Sequence, residues 1–442
     1  MSKKNKSIYL ILFGVALALF YGLRFGLQYA SIGASYDAKI VCSCMFISGR
    51  DFRSIQSEDL YTIPFAHIEV DTLHKLVTAD IYGLAKSQAI YRPGLGCTLL
   101  NEVTSKELLE QSPPAHTTAP EDSFYNYESF PANIDSIRLR KVLDTAFMEL
   151  DSTVVKRTRA IVLLYQGKPI VEQYAPGITA QTPLMGWSMT KSVTNAMVGI
   201  LVKDGKLTAA DPAPVEEWKN DARQKITLDH LLRMTSGLDF VEDYSTPSDA
   251  TKMLFREKGA GAYALQSKLK STPGKEWYYS SGTTNILQEI MRRQFPSLEA
   301  YQAFPYVRLF DKIGMNSAVL EPDASGTFVG SSYMYATARD WARFGQLYLQ
   351  DGLWQGEQIL PQGWVQYSST ETPHSQGTYA AQFWINHQDP EFPQDAFYAD
   401  GFEGQYVIII PSKKMVIVRL GCTQGDGFDI TTFVKDVLKT IH

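Results

Sequence analysis

The sequence has no excess of positive charge and few cysteines and histidines. It carries 42 Lys and Arg against 47 Asp and Glu, which gives a formal net charge of −5 over 442 residues. Because such a chain has no basic field to attract phosphate backbones, we expect no nucleic-acid partner. Cys42 and Cys44 form a C-x-C pair, but the 7 histidines are scattered and none clusters with them. We therefore expect no metal site.

Several motifs of common enzyme chemistries are also missing. No H-E-x-x-H, G-x-x-x-x-G-K-[ST] or G-x-G-x-x-G occurs, which argues against a zinc protease, a P-loop NTPase and a dinucleotide-binding enzyme. The G-x-S-x-G elbow of the α/β-hydrolases is absent as well, because GWSMT has Thr190 where the second glycine belongs. We expect no cofactor.

A long apolar run lies near the N-terminus. Lys3, Lys4 and Lys6 precede apolar residues 8–23, and Arg24 follows them. The run is slightly shorter than the ~20 residues of a spanning helix. Residues 25–27 extend it if Arg24 reaches to the bilayer surface. We predict an uncleaved anchor over residues 1–29, with the N-terminus cytoplasmic and the rest of the chain periplasmic or extracellular.

Two alternatives to an anchor stay open from the sequence. Small residues at 30–34 offer a cleavage site for a signal peptide, which would release a secreted protein. The run could also be a buried helix of a soluble protein. Export would place the cysteines in an oxidising compartment, where Cys42 or Cys44 could pair with Cys97.

Composition divides the rest of the chain into three parts. Residues 36–110 predict a compact module of short strands and helices that has no catalytic constellation and could be a cap, a spacer or an interaction surface. Residues 111–130 are rich in Pro, Ser, Thr and acidic residues and predict a linker. Residues 131–442 predict the catalytic domain.

Hydrophobic periodicity indicates how this last domain is built. Residues 134–150 have helical periodicity, and two β-rich runs around 166–168 predict a hairpin. A short helix with Thr227 as N-cap and an amphipathic helix closed by Gly352 follow. A second hairpin over 404–421 precedes a final helix. The order predicts an antiparallel sheet covered by helices.

Ser188 and Lys191 stand three residues apart at what reads as the first turn of an apolar helix, GWSMTKSVTNAMVGILV. Side chains at i and i+3 meet across one helical turn. A serine hydroxyl is a poor nucleophile until a base takes its proton, and a lysine amine can be that base when burial keeps it neutral. By itself, the spacing is also typical of a capping serine and a solvated lysine.

Residues from about 155 to 442 carry further motifs in a fixed order: SMTK at 188–191, ITLDHLLRMTSGLDF, PGKEWYYSSGTTNIL and ARDWARFGQLYLQDGLWQGEQILPQGWV. This order resembles the serine β-lactamase and penicillin-binding-protein superfamily, and within it the class C β-lactamase-like esterases and 6-aminohexanoate-dimer hydrolases. The resemblance implies an α/β (α+β) fold of the β-lactamase/transpeptidase type. Such a fold has an antiparallel sheet flanked by helices and an all-helical subdomain.

The resemblance also implies a serine hydrolase that cleaves a small ester or amide through an acyl-enzyme. Ser188 would be the acylated nucleophile and Lys191 its base. Tyr279 would relay protons to the leaving group and activate water, and a neighbouring ammonium would favour its phenolate. Ser281 stands where the family commonly has asparagine and would contact the substrate with a shorter reach.

The third motif departs from the family pattern. Where the family has K-T-G or H-T-G, this chain has A-D-G, with Asp400 at its centre and Gly401 at its end. The missing cation argues against substrates that bind through a carboxylate, such as β-lactams and cell-wall peptides. It favours an ester or amide that is neutral or bears a cationic amine.

The same motif would supply the oxyanion hole. The backbone N–H groups of Phe402 and Ser188 would form it, and Gly401 and Gly404 would leave room for a substrate. Two other functions stay open: a catalytically degenerate binding protein of the cell envelope, or a protein whose N-terminal module contacts envelope partners while hydrolysis is secondary. The sequence makes no prediction of oligomeric state.

Overall fold

The computed structural model describes residues 3–111, 123–125, 130–149 and 154–442, so most of the predicted linker 111–130 lies outside the described residues. The chain begins with one long helix, α1 (Lys3–Phe46), which passes unbroken through the predicted boundary between anchor and module. Its apolar side chains are exposed from Ile11 to Tyr29 and buried or partly buried from Ala34 onward. The length and composition of α1 suffice to cross a bilayer.

The N-terminal module is a four-stranded antiparallel sheet on which the buried half of α1 lies. Its elements are α2 (Phe52–Glu58), β1 (His67–Asp71), β2 (Leu76–Ile81), β3 (Ala85–Arg92), β4 (Gly96–Leu99) and α3 (Ser105–Leu109). The strands follow one another in the order β1-β2-β3-β4. A disulfide from Cys42 to Cys97 joins α1 to β4 and confirms that one of the first two cysteines pairs with Cys97. Cys44 and Cys422 are free and buried.

The predicted catalytic domain combines a six-stranded sheet, a helical region and short paired strands. Its first elements are α4 (Ser136–Phe147), β5 (Thr158–Tyr165), β6 (Lys168–Tyr174), β7 (Leu184–Met185) and α5 (Thr190–Lys203). The helical region consists of α6 (Leu228–Leu232), α7 (Asp249–Phe255), α8 (Ala260–Ala264), α9 (Ser281–Arg292), α10 (Leu298–Pro305) and α11 (Asp311–Ile313). The last elements are β8 (Val319–Leu320), β9 (Met334–Ala336), α12 (Ala338–Leu349), β10 (Leu353–Trp354), β11 (Glu357–Gln358), α13 (Trp364–Ser369), β12 (Trp384–Ile385), β13 (Phe397–Gly401), β14 (Gln405–Ile410), β15 (Met415–Gly421) and α14 (Ile430–Leu438).

The main sheet is antiparallel, in the order β12-β13-β14-β15-β5-β6. The central strands β5 and β15 are buried along their whole length, which is why both read as nearly continuous apolar runs. Helices α4 and α14 cover one face, with Leu139, Leu143 and Phe433 in their core, and α12 packs on the other face. The predicted antiparallel sheet flanked by helices is confirmed.

The module docks on the catalytic domain through buried charges and a common apolar core. Lys39 of α1 forms a buried ion pair with Glu321, which also accepts hydrogen bonds from Ser43 Oγ at 2.8 Å and from the Cys97 N–H at 2.6 Å. Arg159 of β5 pairs with the module at Asp59, with an Nη2–Oδ2 distance of 2.8 Å. Because a buried charge is costly once its partner leaves, these contacts hold the module in place against the catalytic domain.

Candidate active site

Ser188 lies in a tight turn between β7 and α5. The turn is a single 3-10 turn, Trp187–Met189, and α5 begins only at Thr190. Ser188 therefore precedes the α-helix, which corrects the expectation that it lies in the first helical turn. Trp187 has a φ of 46°, in the left-handed region. Such a conformation costs a non-glycine residue about 1–3 kcal/mol, and strain of this kind concentrates at functional sites.

Lys191 is buried, and its amine contacts the proposed nucleophile. Its Nζ lies 3.0 Å from Ser188 Oγ and 3.0 Å from Ser281 Oγ. A third contact, also of 3.0 Å, goes to the carbonyl oxygen of Ser331. Burial lowers the pKa of Lys191 to about 8, although the charge of Glu242 opposes this. A fraction of the amine is therefore neutral near pH 7, and its lone pair can accept the serine proton.

Tyr279, the third predicted catalytic residue, lies beside Ser188 and Lys191. Its ring centroid lies 4.8 Å from Lys191 Nζ, and the rings of Tyr379 and Trp384 pack against it at 5.8 and 5.2 Å. Burial raises the pKa of Tyr279 far above its ordinary value, and a hydrogen bond with Ser188 opposes this only in part. The expectation of a phenolate is therefore wrong for the free protein: the phenol keeps its proton at neutral pH.

Two site residues, Glu242 and Tyr244, were not predicted. Glu242 Oε1 accepts hydrogen bonds from Ser281 Oγ at 2.5 Å and from Tyr244 OH at 2.7 Å, and its other oxygen accepts from the Ser281 N–H at 2.8 Å. The Tyr244 hydroxyl also lies 2.9 Å from Ser281 Oγ. Ser281 thus links Lys191 to a carboxylate. No local pattern in the sequence marks this loop, because its partners come from a distant helix.

The third motif is placed beside the site, but its glycines do not leave room for a substrate. A side-chain carbon on Gly401 would meet the carbonyl oxygen of Gly186 at 2.2 Å, and one on Gly404 would meet Arg419 Nη1 at 2.3 Å. Both spaces are filled by protein, which contradicts the expected role. The charge of Asp400 contributes to the raised pKa of Tyr279, which places the two side chains near each other. Burial raises the pKa of Asp400 to about 7.

An apolar cavity of about 190 Å³ opens beside Ser188. The catalytic domain lines it with Trp187, Leu254, Phe255 and Phe402, and α1 lines it with Tyr29, Ile32, Gly33 and Tyr36. The Tyr36 ring stacks on Trp187 with centroids 6.4 Å apart and meets Phe255 edge-on at 5.7 Å. Part of the wall of the site therefore comes from the N-terminal helix, which sequence reasoning left outside the site.

Within the described residues, no group of three or more His, Cys, Asp or Glu side chains is arranged to hold a metal ion. The polar side chains that the described residues bring together here are hydroxyl groups, the Lys191 amine and the carboxyl groups of Glu242 and Asp400.

Comparison with known proteins identifies the family of this chain. The beta-lactamase family matches residues 150–433, well over half of the chain. The chain belongs to the beta-lactamase family. The match confirms the resemblance seen in the sequence motifs and lies within the predicted catalytic domain, and it includes the turn that carries Ser188.

Individual relatives support the same conclusion. A 6-aminohexanoate-dimer hydrolase of Paenarthrobacter ureafaciens is 25% identical over 289 residues, covering 60% of this chain and 72% of the relative. A family VIII carboxylesterase superposes with a TM-score of 0.55 at 14% identity, over 71% of this chain and 98% of its own. An octameric penicillin-binding protein homologue from Pyrococcus abyssi gives a TM-score of 0.52 at 17% identity, over 69% and 77%. The superpositions show a β-lactamase/transpeptidase-like fold, and the hydrolases among these relatives support a hydrolase.

Proposed function

We propose that this beta-lactamase family member is a membrane-anchored, exported serine hydrolase that cleaves an ester or amide bond through an acyl-enzyme on Ser188. The observation that carries the proposal is the Lys191 amine, which is buried, lies 3.0 Å from Ser188 Oγ and has its pKa lowered to about 8. A solvated lysine beside a capping serine has no reason to be desolvated in this way.

Acylation would begin when neutral Lys191 takes the hydroxyl proton of Ser188. The Ser188 oxygen then forms a bond to the acyl carbon, and the backbone N–H groups of Ser188 and Phe402 would stabilise the oxyanion. As the intermediate collapses, the bond to the alcohol or amine breaks. Tyr279, which holds its proton, donates it to the leaving group and recovers a proton from the Lys191 ammonium.

Deacylation would use the same groups in the opposite direction. Water gives a proton to Lys191, either directly or through Tyr279, and its oxygen attacks the acyl carbon. The bond to Ser188 then breaks, the acid leaves, and the serine regains its proton. Ser281 keeps the amine in position, since it donates to Glu242 and accepts from Lys191.

The surroundings of the nucleophile favour an uncharged group at the reacting end of the substrate. The cavity beside Ser188 has an apolar lining, and Asp400 stands where the family carries a cation. A carboxylate at this end would find no partner of opposite charge in the third motif. We therefore propose a neutral ester or amide, or one with a cationic amine, as the reacting group.

Two observations support anchoring and export. The disulfide between Cys42 and Cys97 fits an oxidising compartment. The small residues at 30–34 lie inside α1, and cleavage there would separate Tyr29 and Ile32 from the cavity that they line. Retention of the helix is consistent with a complete site.

Labelling with a fluorophosphonate tests the proposal, because the activated serine displaces fluoride from phosphorus and the mass rises by one phosphonyl group. We expect one adduct on the folded wild type, mapped to the peptide that carries Ser188, and none on Ser188→Ala. The matched control Ser57→Ala, which changes an exposed serine of the module, should label like the wild type. A folded wild type that never labels would favour the catalytically degenerate binding protein instead.

A further inference from the structure

The exposed apolar surface of α1 leads directly to the cavity beside Ser188. The predicted membrane run ends at Leu27, and Ile32 and Gly33 already line the cavity. At 1.5 Å per residue, Gly33 lies about 9 Å further along the helix than Leu27. A bilayer that surrounds the apolar run therefore places its surface at the mouth of the cavity.

A groove between α1 and the α7 region adjoins the cavity. Phe20, Leu23 and Leu27 of α1 line its outer part, and Ile32 borders both the groove and the cavity. Helix α7 separates the two spaces and presents residues to each: Thr251, Leu254 and Phe255 to the cavity, and Lys252 and Arg256 to the groove. Because Ile32 belongs to both linings, the groove and the cavity that contains Ser188 adjoin each other along α1.

Positive charge is concentrated in this groove. Arg24 of α1, Lys252 of α7 and Arg256 at the C-cap of α7 line it, together with one carboxylate, Glu257. Lys252 lies in α7 and Arg256 is the residue that caps its C-terminus, and both line the groove. Three cations against one carboxylate leave a net positive charge. At the surface of a bilayer such a cluster attracts phosphate and other anionic headgroups.

The direction of strand β3 relative to α1 shows which end of the module's sheet lies toward the bilayer. Ser35 Oγ and Ser87 Oγ lie 2.9 Å apart near the start of β3, and the rings of Phe46 and Tyr91 lie 5.9 Å apart near its end. Strand β3 therefore runs alongside α1 in the same direction. The turn that precedes β3 points back toward the N-terminal, exposed half of α1.

That turn carries exposed apolar side chains. Tyr82 is 76% exposed and Leu84 is 62% exposed, and Phe65 stacks on Tyr82 with centroids 6.0 Å apart. Ile81, the last residue before the turn, contacts α1 at Gly33. Aromatic side chains are enriched where proteins meet the bilayer surface. The turn therefore marks the same level along α1 as the mouth of the cavity.

We propose that the substrate is a bilayer-resident acyl ester or amide with an anionic headgroup, an inference that rests on the proposed anchored serine hydrolase. The headgroup binds at Lys252 and Arg256, and the acyl chain lies along α1 so that its carbonyl carbon reaches Ser188. Ser188 Oγ forms a bond to that carbon while the bond to the headgroup alcohol or amine breaks, and the leaving group takes a proton. Water then releases the free carboxylic acid and restores the serine.

The test uses the full chain reconstituted in phosphatidylcholine vesicles. Two probes carry the same fluorescent acyl chain, one on phosphatidylglycerol, which is anionic, and one on phosphatidylcholine, which is zwitterionic. A water-soluble ester, p-nitrophenyl butyrate, is measured in parallel, and all rates are divided by the fluorophosphonate labelling rate of the same preparation. The charge reversal Lys252→Glu with Arg256→Glu is compared with a control reversal of two exposed lysines that do not line the groove, Lys225→Glu with Lys413→Glu.

We expect the wild type and the control to release the acyl chain from phosphatidylglycerol faster than from phosphatidylcholine. The reversal should lower the phosphatidylglycerol rate by about tenfold or more, because each surface cation contributes substantially to binding an anionic lipid. The milder pair Lys252→Gln with Arg256→Gln, which is less disruptive to folding, should give an intermediate loss.

Two results would overturn the inference and leave the proposed function standing. One is hydrolysis of p-nitrophenyl butyrate without hydrolysis of either lipid. The other is a phosphatidylglycerol rate that neither charge variant changes, which would mean that the groove only contacts surrounding lipid. Absence of a fluorophosphonate adduct on the folded wild type would overturn the inference together with the proposed function.

Discussion

Replacing Glu242 with Gln is expected to lower the pKa of Lys191 and to extend activity to lower pH. Glu242 Oε1 lies 2.5 Å from Ser281 Oγ, which lies 3.0 Å from Lys191 Nζ. The carboxylate is therefore within about 5.5 Å of the amine, and its charge favours the ammonium form. It holds the pKa of Lys191 above the value that burial alone would set.

The size of the effect follows from this separation. Two unit charges about 5.5 Å apart attract by about 3 kcal/mol at an effective dielectric constant of about 20. Since about 1.4 kcal/mol changes a pKa by one, loss of the full attraction would lower the pKa of Lys191 by about two. Partial solvent exposure of Glu242 reduces this to about one. Lys191 must be neutral to act as base, so the acid limb of the kcat/KM profile should move down from about pH 8 by one to two units.

The assay is hydrolysis of p-nitrophenyl butyrate across the pH range, with the fluorophosphonate labelling rate as a second readout. A glutamine side chain keeps the oxygen that accepts hydrogen bonds from Ser281 Oγ and Tyr244 OH, so Glu242→Gln removes the charge and loses only the hydrogen bond that the second carboxylate oxygen accepts from the Ser281 N–H. Glu216→Gln, at an exposed 3-10 turn, serves as the control and should leave the profile in place. An acid limb that stays near pH 8 or moves upward in Glu242→Gln would refute the assignment of Lys191 as the base.

Three further substitutions test the proton relay by Tyr279, the burial of Asp400 and the disulfide between Cys42 and Cys97. Tyr279→Phe should lower kcat for esters by about 10²–10⁴-fold, which is the usual contribution of a proton-transferring group. The rate of fluorophosphonate labelling should fall much less, because the departing fluoride needs no proton from the phenol. Equal losses in both rates would contradict the relay role. Asp400 keeps its proton up to about pH 7 in the folded protein but releases it near 3.8 when unfolded, so the free energy of unfolding should fall as pH rises through that interval. Asp400→Asn should flatten this fall in urea titrations, and an unchanged slope would argue against burial of the acid. Cys42→Ser with Cys97→Ser opens a link between residues 55 apart and should lower the free energy of unfolding by about 2–4 kcal/mol, whereas no loss would mean that the bond does not form.

Much of the fold could be predicted because its elements have strong local patterns. The central strands β5 and β15 are apolar runs between turn residues, and α12 shows a clear apolar stripe. The extent of α1 could not be predicted in the same way. Its apolar run ends near residue 27, but the helix continues to Phe46 because the module's sheet and the Cys42–Cys97 bond hold its second half. Tertiary packing, and not local preference, sets that end.

In the site, too, residues with a local sequence pattern could be predicted, and residues brought in by long-range contacts could not. Ser188 and Lys191 were predictable because their spacing is local and the order of the other motifs is specific. Glu242 and Tyr244 were not, since they reach Ser281 from a loop about 40 residues away and have no motif of their own. The glycines of the third motif were misjudged because composition does not tell whether substrate or protein fills the space beside a glycine. At Gly401 that space holds the backbone of Gly186.

Trapping the covalent intermediate during turnover of an ester tests directly whether Ser188 is the nucleophile. The full chain is mixed with p-nitrophenyl butyrate, quenched in acid after a short interval, and its intact mass is measured. We expect a butyryl adduct on the peptide that carries Ser188, absent from Ser188→Ala and accumulated in Tyr279→Phe, in which deacylation is slowed. Hydrolysis that continues in Ser188→Ala, or turnover by wild type with an acyl group on a different residue, would contradict it.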